Sequence, residues 1–427
     1  MINYQKKLYG NGLTLLTAPL EDTEAVTILV AVKVGSRYET KEVNGISHFL
    51  EHLFFKGTKK RPSTLKLSKE LDAMGAKYNA FTGEEITGFY IQSSKRHFKK
   101  AWDILSDMLL NPLIPPKEVE RERGVILEEM NMYYDTPQIH VQELAKQAVY
   151  GDTPLGRDII GTRETINSIT REQIVAYRNQ YYVPQNMIVV IAGSQTDDWE
   201  KFITQKLGEH VAGESSQYLS ANVMNHKELV NIAKKETDQT HLVLNLNTFP
   251  STDDRWPVLE VLANLLGGQM SSRLFIKIRE RRGLAYYVRA SAQSFHDTGL
   301  LNISAGLKTS NVNEALRVTT TELRNLRDKL VTKEELNRSI DNIIGHMALS
   351  LEGSFSVSEF LMEQWFNENK IRQPEELIER YRAVTAKDIQ KLAQEIVTES
   401  NIIVTMIGPM DIKKKTNFEN TIKSKLK

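Results

Sequence analysis

The segment His48-Phe49-Leu50-Glu51-His52 has the residue types and the spacing for metal chemistry. It lies in a stretch of helical period, so His48 and His52, four positions apart, present both imidazoles from one face about a turn apart. Two nitrogens so placed can bind one zinc ion at about 2.1 Å each. Glu51 falls at the edge of that face, where its carboxylate can reach water beside the metal without being a ligand. The order is the reverse of His-Glu-x-x-His and the physics is the same. A metal of this kind lowers the pKa of water and takes charge from a developing oxyanion. A carboxylate carries the proton from water to a leaving nitrogen. Together these are the parts that amide hydrolysis needs. In a chain of 427 residues with only 9 His, the pattern arises by chance on the order of one time in a hundred.

Two histidines leave a metal site incomplete, so a further ligand must come from elsewhere. The long helix expected from Pro116 to about residue 132 is the best source, with Glu118, Glu120, Glu122, Glu128 and Glu129. Glu122 and Glu129 are seven apart, two turns along one face. That spacing lets one ligate while the other orients a ligand histidine. Periodicity alone leaves the choice among the five open, because a run of Glu also suits a solvated helix face. His97, His140, His210, His226, His241, His296 and His346 have no comparable spacing and are left out of the site. There is no Cys, so thiolate nucleophiles, disulfides and Cys-ligated metals are excluded.

Composition narrows the rest. Hydrophobic residues make up 41% and charged residues 26%, the balance of a globular chain with ample core. Lys and Arg (55) nearly equal Asp and Glu (54), so the basic surplus of a nucleic-acid binder is missing. No apolar run approaches the roughly 20 residues that span a bilayer. The opening MINYQKKLYGNGLTLL lacks the uninterrupted apolar stretch of a signal peptide. The expectation is a cytoplasmic protein with no nucleic-acid or membrane partner. Neither G-x-G-x-x-G after a strand nor G-x-x-x-x-G-K-[ST] occurs, so a nucleotide site has no support.

The elements that must position the candidate residues read as one unit written twice. In the first half, 13–18, 27–34, 77–82, 87–93 and 187–192 read as strands, and 46–56, 64–74, 97–110 and 116–132 as helices. In the second half, 242–247, 285–292, 299–306 and 402–407 read as strands, and 256–266, 271–280, 311–330 and 332–346 as helices. Fixed offsets support the duplication. Thr170 and Thr385, Asn186 and Asn401, and Gly193 and Gly408 are each 215 apart, and Gly88 and Gly299 are 211 apart. Thr170 and Thr385 read as helix N-caps, with Gln173 completing a capping box and Asp388 a weaker variant. The fold expected is α+β: two homologous domains, each a mixed, largely antiparallel sheet with helices packed on it, arranged as a clamshell. The expected division is 1–215 with the metal site, a linker at 216–235, and 236–427 completing the substrate site.

These motifs resemble the inverted-motif zinc metallopeptidases of the M16 family (pitrilysin, insulin-degrading enzyme and mitochondrial processing peptidase), and among them the compact bacterial group similar to the processing peptidase. The resemblance runs through Gly45-Ile46-Ser47-His48-Phe49-Leu50-Glu51-His52-Leu53-Phe54-Phe55-Lys56-Gly57-Thr58, Asn79-Ala80-Phe81-Thr82, Glu122-Arg123-Gly124-Val125-Ile126-Leu127-Glu128-Glu129 and Pro154-Leu155-Gly156-Arg157. It continues in the second half through Ser271-Ser272-Arg273-Leu274 and Arg279-Glu280-Arg281-Arg282-Gly283-Leu284-Ala285-Tyr286.

The resemblance implies a zinc endopeptidase with one Zn2+ per chain. His48, His52 and Glu129 would be the ligands, Glu51 the general base and Glu122 the carboxylate that orients a ligand histidine. The strand with Asn79, Ala80, Phe81 and Thr82 would be a sheet edge that pairs with extended peptide substrate, with Phe55 and Phe81 lining a pocket for it. Arg279 would hold substrate backbone, and Tyr286 would hydrogen-bond the scissile carbonyl or its oxyanion. The family also implies a closed chamber that admits peptides and unfolded segments. A chain holding both the zinc motif and the Arg279/Tyr286 pair favours a homodimer. The short Gly268-Gln269-Met270 segment lacks the longer glycine-rich loop of the non-catalytic processing-peptidase subunit. The alternative is a noncatalytic assembly or peptide-binding subunit of a processing-peptidase-like complex, but such subunits typically lose metal ligands that are intact here.

Overall fold

Alternating and fully apolar runs build two sheets, described here from a computed structural model that covers residues 2–195, 198–208, 210–211, 213–215, 217–221 and 228–427. The first sheet contains β1 (Gln5–Leu8), β2 (Thr14–Pro19), β3 (Ala25–Val32), β4 (Lys77–Thr82), β5 (Thr87–Ser94) and β6 (Met187–Gly193) in the order β1-β2-β6-β3-β5-β4. The second contains β7 (Val230–Lys234), β8 (Thr240–Thr248), β9 (Ala285–Ser294), β10 (Gly299–Leu307) and β11 (Ile402–Gly408) in the order β7-β11-β8-β10-β9. Leaving out β1, the two orders are the same. β2 runs parallel to β6 and β7 parallel to β11, and the other named pairs are antiparallel. The mixed, largely antiparallel α+β architecture and its duplication are therefore as expected.

The duplicated offsets correspond to repeated local chemistry. Thr170 caps the helix Arg171–Tyr181 and Thr385 caps Ala386–Ile396, each through a complete capping box. Asp388 closes its box as fully as Gln173 does, accepting from the Thr385 N–H at 2.9 Å. Asn186 Nδ2 donates to Tyr181 O and Asn401 Nδ2 to Ile396 O, tying each helix end to the strand that follows.

The chain packs as two units, neither contiguous. One comprises Met1–Met130, Arg157–Leu219 and Ala348–Gln373; the other comprises Asn131–Gly156, Ser220–Met347 and Pro374–Lys427. This departs from the expected split at 1–215 and 236–427, and the reason is burial. β3 and β6 are apolar along almost their whole length and are buried on both faces, so each sheet needs two covers. In the first unit, helices α1 (Ile46–Phe54), α2 (Thr64–Asp72) and α3 (Phe98–Leu110) arise from the same half of the chain. Helix Ser354–Glu368, from the other half, packs Val357, Leu361, Met362 and Phe366 against Leu16, Leu29, Ile188 and Val190.

In the second unit the reverse holds. Helix α4 (Pro116–Asp135) belongs to the first unit through Met130, and α5 (Pro137–Tyr150), which follows it in the first half of the chain, belongs to the second. α5 packs Val141 and Ala145 against Val243 and Ile407, and Val149 against Leu300 and Ile403. The helices Trp256–Ala263, Val312–Asp328 and Ala386–Ile396 share that unit's main core. The expected linker at 216–235 is also revised. Its last part is strand β7, whose backbone pairs with β11. Residues 216 and 222–227, and with them His226, lie outside the described residues. The helices expected at 256–266 and 271–280 both widen into π-helical turns, Asn264–Gly268 and Phe275–Glu280. Among the described residues, no helix is long and apolar enough to cross a membrane.

Candidate metal centre

α1 is short because its apolar stripe is short. Ile46, Phe49, Leu50, Leu53 and Phe54 are buried, which leaves His48, Glu51 and His52 on the opposite, more open face. The helix begins at Gly45, whose φ of 96° is left-handed. A Cβ there would stand 2.7 Å from Ile160 O, so glycine is required for space as well as for conformation. Gly45 has no side chain to cap the helix, and Glu39 does it instead. The buried Glu39 carboxylate accepts from Gly45 N–H at 2.7 Å, from Ser47 N–H at 2.8 Å and from Asn44 Nδ2 at 2.9 Å. Burial pushes the Glu39 carboxyl up to about 7, against the pull of those donors. Sequence reasoning missed Glu39. The signal was a helix opened by Gly with no Ser, Thr, Asp or Asn at its N-cap, which left the first N–H groups needing an acceptor.

α4 brings the acidic partners. Its buried positions are Val119, Glu122, Ile126 and Met130, an apolar stripe with a carboxylate in it. The Arg123 guanidinium lies over the Phe49 ring of α1 and donates to Ile166 O and Ile169 O, which holds α4 in place. Glu122 Oε2 stands 3.2 Å from His52 Nδ1, and its other oxygen pairs with Lys56 Nζ at 2.7 Å. Burial acts to raise the Glu122 pKa, but the hydrogen bonds from His52 and Lys56 outweigh it and hold the carboxyl below its ordinary value.

Glu129 lies two turns on, with Oε2 at 3.5 Å from His52 Nε2 and 3.8 Å from His48 Nε2. The two imidazole rings are 4.7 Å apart between centroids. Among the described residues, His48, His52 and Glu129 are the group whose ligand atoms converge for a metal, all within 4.8 Å of one another. Ligands about 2.1 Å from a tetrahedral zinc stand roughly 3.4 Å from one another. The observed 3.5 and 3.8 Å match that separation and are long for direct hydrogen bonds.

The electrostatics fit a cation as well. Burial, and then the charge of His52, lowers the His48 pKa to about 4, so at neutral pH its ring is neutral, with one nitrogen protonated and the other offering a lone pair. His52 goes the other way. Burial opposes its charge, but Glu122 and Glu129 raise its pKa to about 9. Two carboxylates around one imidazole make a site that favours positive charge. Among the described residues His48 Nδ1 is buried with no hydrogen-bond partner, whereas His52 Nδ1 faces Glu122. The donor set of two imidazole nitrogens and one carboxylate oxygen is one that zinc accepts with a position left open.

Glu51 stands beside the cluster with its Oε2 accepting from Thr82 Oγ1 at 2.5 Å. Burial raises its pKa, and the Thr82 hydrogen bond opposes that rise. Among the described residues, β4, which ends in Thr82, is the edge of its sheet and pairs only with β5. Its side chains divide between two faces. Tyr78, Ala80 and Thr82 share the α1 face, where the Phe55 and Tyr78 rings lie 6.4 Å apart. Lys77, Asn79 and Phe81 share the other, where Phe81 lies over Gly88 and packs with the core under helix Ser354–Glu368. Phe55 and Phe81 therefore do not line one pocket, because the period of two in β4 puts Phe81 on the face away from Tyr78, beside which Phe55 of the α1 end lies.

Arg279 and Tyr286 belong to the second unit. Arg279 lies on the π-helical turn Phe275–Glu280 with its guanidinium over the Phe275 ring, and it lines a cavity of about 1120 Å³ beside β9. Tyr286, on β9, is 77% exposed, so packing does not account for it. Among the described residues, the other histidines join no such cluster.

Comparison with known proteins agrees with this geometry. Residues 15–163 match the family model described as Insulinase (Peptidase family M16), and residues 168–343 match the model described as Peptidase M16 inactive domain. The metal cluster lies in the first. The chain is 33% identical over 399 residues to the uncharacterized zinc protease YmxG of Bacillus subtilis, covering 93% of this chain and 97% of that one. It is 31% identical over 420 residues to an uncharacterized zinc protease of Streptomyces coelicolor, covering 96% and 91%. The crystal structure of a protease from Helicobacter pylori shares the fold, with a TM-score of 0.87 at 21% identity over 96% of this chain and 100% of that one. On the two matched models and on its relatives, the chain belongs to peptidase family M16.

Proposed function

We propose that this chain is a zinc-dependent endopeptidase that hydrolyses peptides and unfolded polypeptide segments inside a closed chamber. The observation that carries the reading is the separation of His48 Nε2 and His52 Nε2 from Glu129 Oε2, 3.8 and 3.5 Å, with the Glu51 carboxylate beside them. Zinc, when bound by those three residues, supplies the Lewis acidity that polarises a carbonyl and lowers the pKa of water. The chain supplies the rest. The outer edge of β4 pairs with an extended peptide and aligns the scissile bond. Glu51 accepts the proton of the attacking water as the C–O bond forms, then gives it to the leaving amine as the C–N bond breaks. Tyr286 donates a hydrogen bond to the oxyanion, and Arg279 holds substrate backbone. Glu122 keeps the His52 ring oriented.

The reading includes a homodimer acting in the cytoplasm, and it is favoured over a noncatalytic subunit by the intact ligand set and base. The test is to incubate the purified protein with a peptide mixture, with and without added zinc and chelator, and to map the cuts by mass spectrometry. Cleavage that chelator abolishes, zinc restores and Glu51→Gln lowers by about 10²- to 10⁴-fold supports the reading. Zinc bound at one per chain with no cleavage would return the chain to the noncatalytic class.

A further inference from the structure

The hydroxyl that reaches Glu51 does not come from α1 or α4, which carry the metal cluster, but from the strand at the edge of the sheet. Thr82 is the last residue of β4 and pairs with Thr87 across the ladder. It shares its face with Tyr78 and Ala80 and turns toward α1, where Oγ1 donates to Glu51 Oε2 at 2.5 Å. We infer that Thr82 is a positioning residue that holds the Glu51 carboxylate in place, so that the strand receiving the peptide also sets the base that acts on it. The inference rests on the proposed peptidase reading and deepens it.

The physical need is plain. Glu51 sits at the edge of a helix face on a flexible stem with several rotamers, and a base acts well only within about 3 Å of the proton it takes. An O–H donor to a carboxylate makes a short, charge-assisted bond, and it occupies one oxygen while leaving the other to serve water. The hydroxyl itself is fixed, because Thr is β-branched and its χ1 is restricted on a strand. A peptide added along the outer edge of β4 orders the same backbone that carries Thr82. Substrate docking and base orientation thus share one element, 31 positions from Glu51 in sequence.

The test compares Thr82→Val, which keeps the branched shape and loses the hydroxyl, with Thr82→Ser, which keeps the hydroxyl. Thr82→Val is expected to lower kcat about 10- to 100-fold with KM changed less than about twofold, at unchanged zinc content and thermal midpoint. Thr82→Ser is expected to return kcat to within about threefold of the parent. Unchanged kcat in the Val variant, failure of Ser to restore it, or an effect confined to KM overturns the inference. Should the parent chain cleave nothing, the peptidase reading itself has failed, and crystal structures of the parent and Thr82→Val then decide the inference alone. A Glu51 carboxylate displaced in the variant supports it, and one that stays in place overturns it.

Discussion

His52 Nδ1 lies 3.2 Å from Glu122 Oε2, and that contact decides which nitrogen of His52 faces the metal site. With Nδ1–H committed to Glu122, Nε2 is the atom turned toward Glu129, and it would offer its lone pair once a bound cation takes the place of the second proton that the two carboxylates favour on the ring. Lys56, at 2.7 Å from the other Glu122 oxygen, holds that carboxylate ionised and in place. Replacing Glu122 by Gln weakens the hydrogen bond and frees the ring to rotate. Zinc affinity, measured by competition with a chelator, is expected to fall about 10- to 100-fold. Unchanged affinity would show that the ring is oriented without Glu122.

Glu39 gives the protein a pH dependence away from the metal ligands. Its folded-state carboxyl titrates at about 7, against an ordinary value of 4.5. Between those values the folded chain keeps a proton that the unfolded chain has released. The contribution of this group to stability is therefore full below about pH 4.5 and is lost as pH rises toward 7. Denaturant unfolding of Glu39→Gln across that window is expected to show a shallower fall of stability than the parent. Glu39→Ala removes the acceptor for Gly45 N–H, Ser47 N–H and Asn44 and is expected to cost about 1–3 kcal/mol. Parallel pH profiles for parent and Gln variant would contradict the assignment.

The exchange of covering helices between the halves makes a prediction about fragments. A chain ending at residue 215 keeps β1 to β6 but lacks Val357, Leu361, Met362 and Phe366, which cover one face of their sheet. At roughly 1.5–3 kcal/mol for each buried side chain, the loss is comparable to the whole stability of a domain. Fragment 1–215 is expected to be aggregated or molten by near-UV circular dichroism, and co-expression with a chain carrying 348–373 is expected to improve its recovery. A cooperatively folding, monomeric 1–215 would contradict this account of the core.

Phe55 and Phe81 lie on opposite faces of the sheet, Phe55 beside Tyr78 and Phe81 over Gly88. An extended peptide on the β4 edge sends successive side chains to alternate faces. Phe55→Ala and Phe81→Ala are therefore expected to relax preference at different substrate positions, separated by an odd number of residues. Cut-site maps from a peptide library check this. Both variants altering the same position would place the peptide elsewhere.

Much of the site was legible because its residues stand at helical intervals. His48 and His52 at i and i+4, and Glu122 and Glu129 at i and i+7, are spacings that a single helix enforces whatever the tertiary fold. Strand positions were legible from apolar runs, and the duplication from capping residues 215 apart. What was not legible depends on partners distant in sequence. The apolar faces of α5 and of helix Ser354–Glu368 show that each must be covered, but not which sheet covers it. β7 is short and partly polar, and it becomes a strand only by pairing with β11. Glu39 looks like any surface glutamate until Gly45 starts a helix beside it. The opposed directions of Tyr78 and Phe81 were present in the alternation of β4, but that Phe55 lies beside Tyr78 depends on how α1 packs against the strand.

The most direct test of the account is anomalous diffraction at the zinc edge from crystals of the protein grown with zinc. The account predicts one peak per chain, about 2 Å from His48 Nε2, His52 Nε2 and a carboxylate oxygen of Glu129. A chain without density there, or with zinc bound only at other residues, would contradict it.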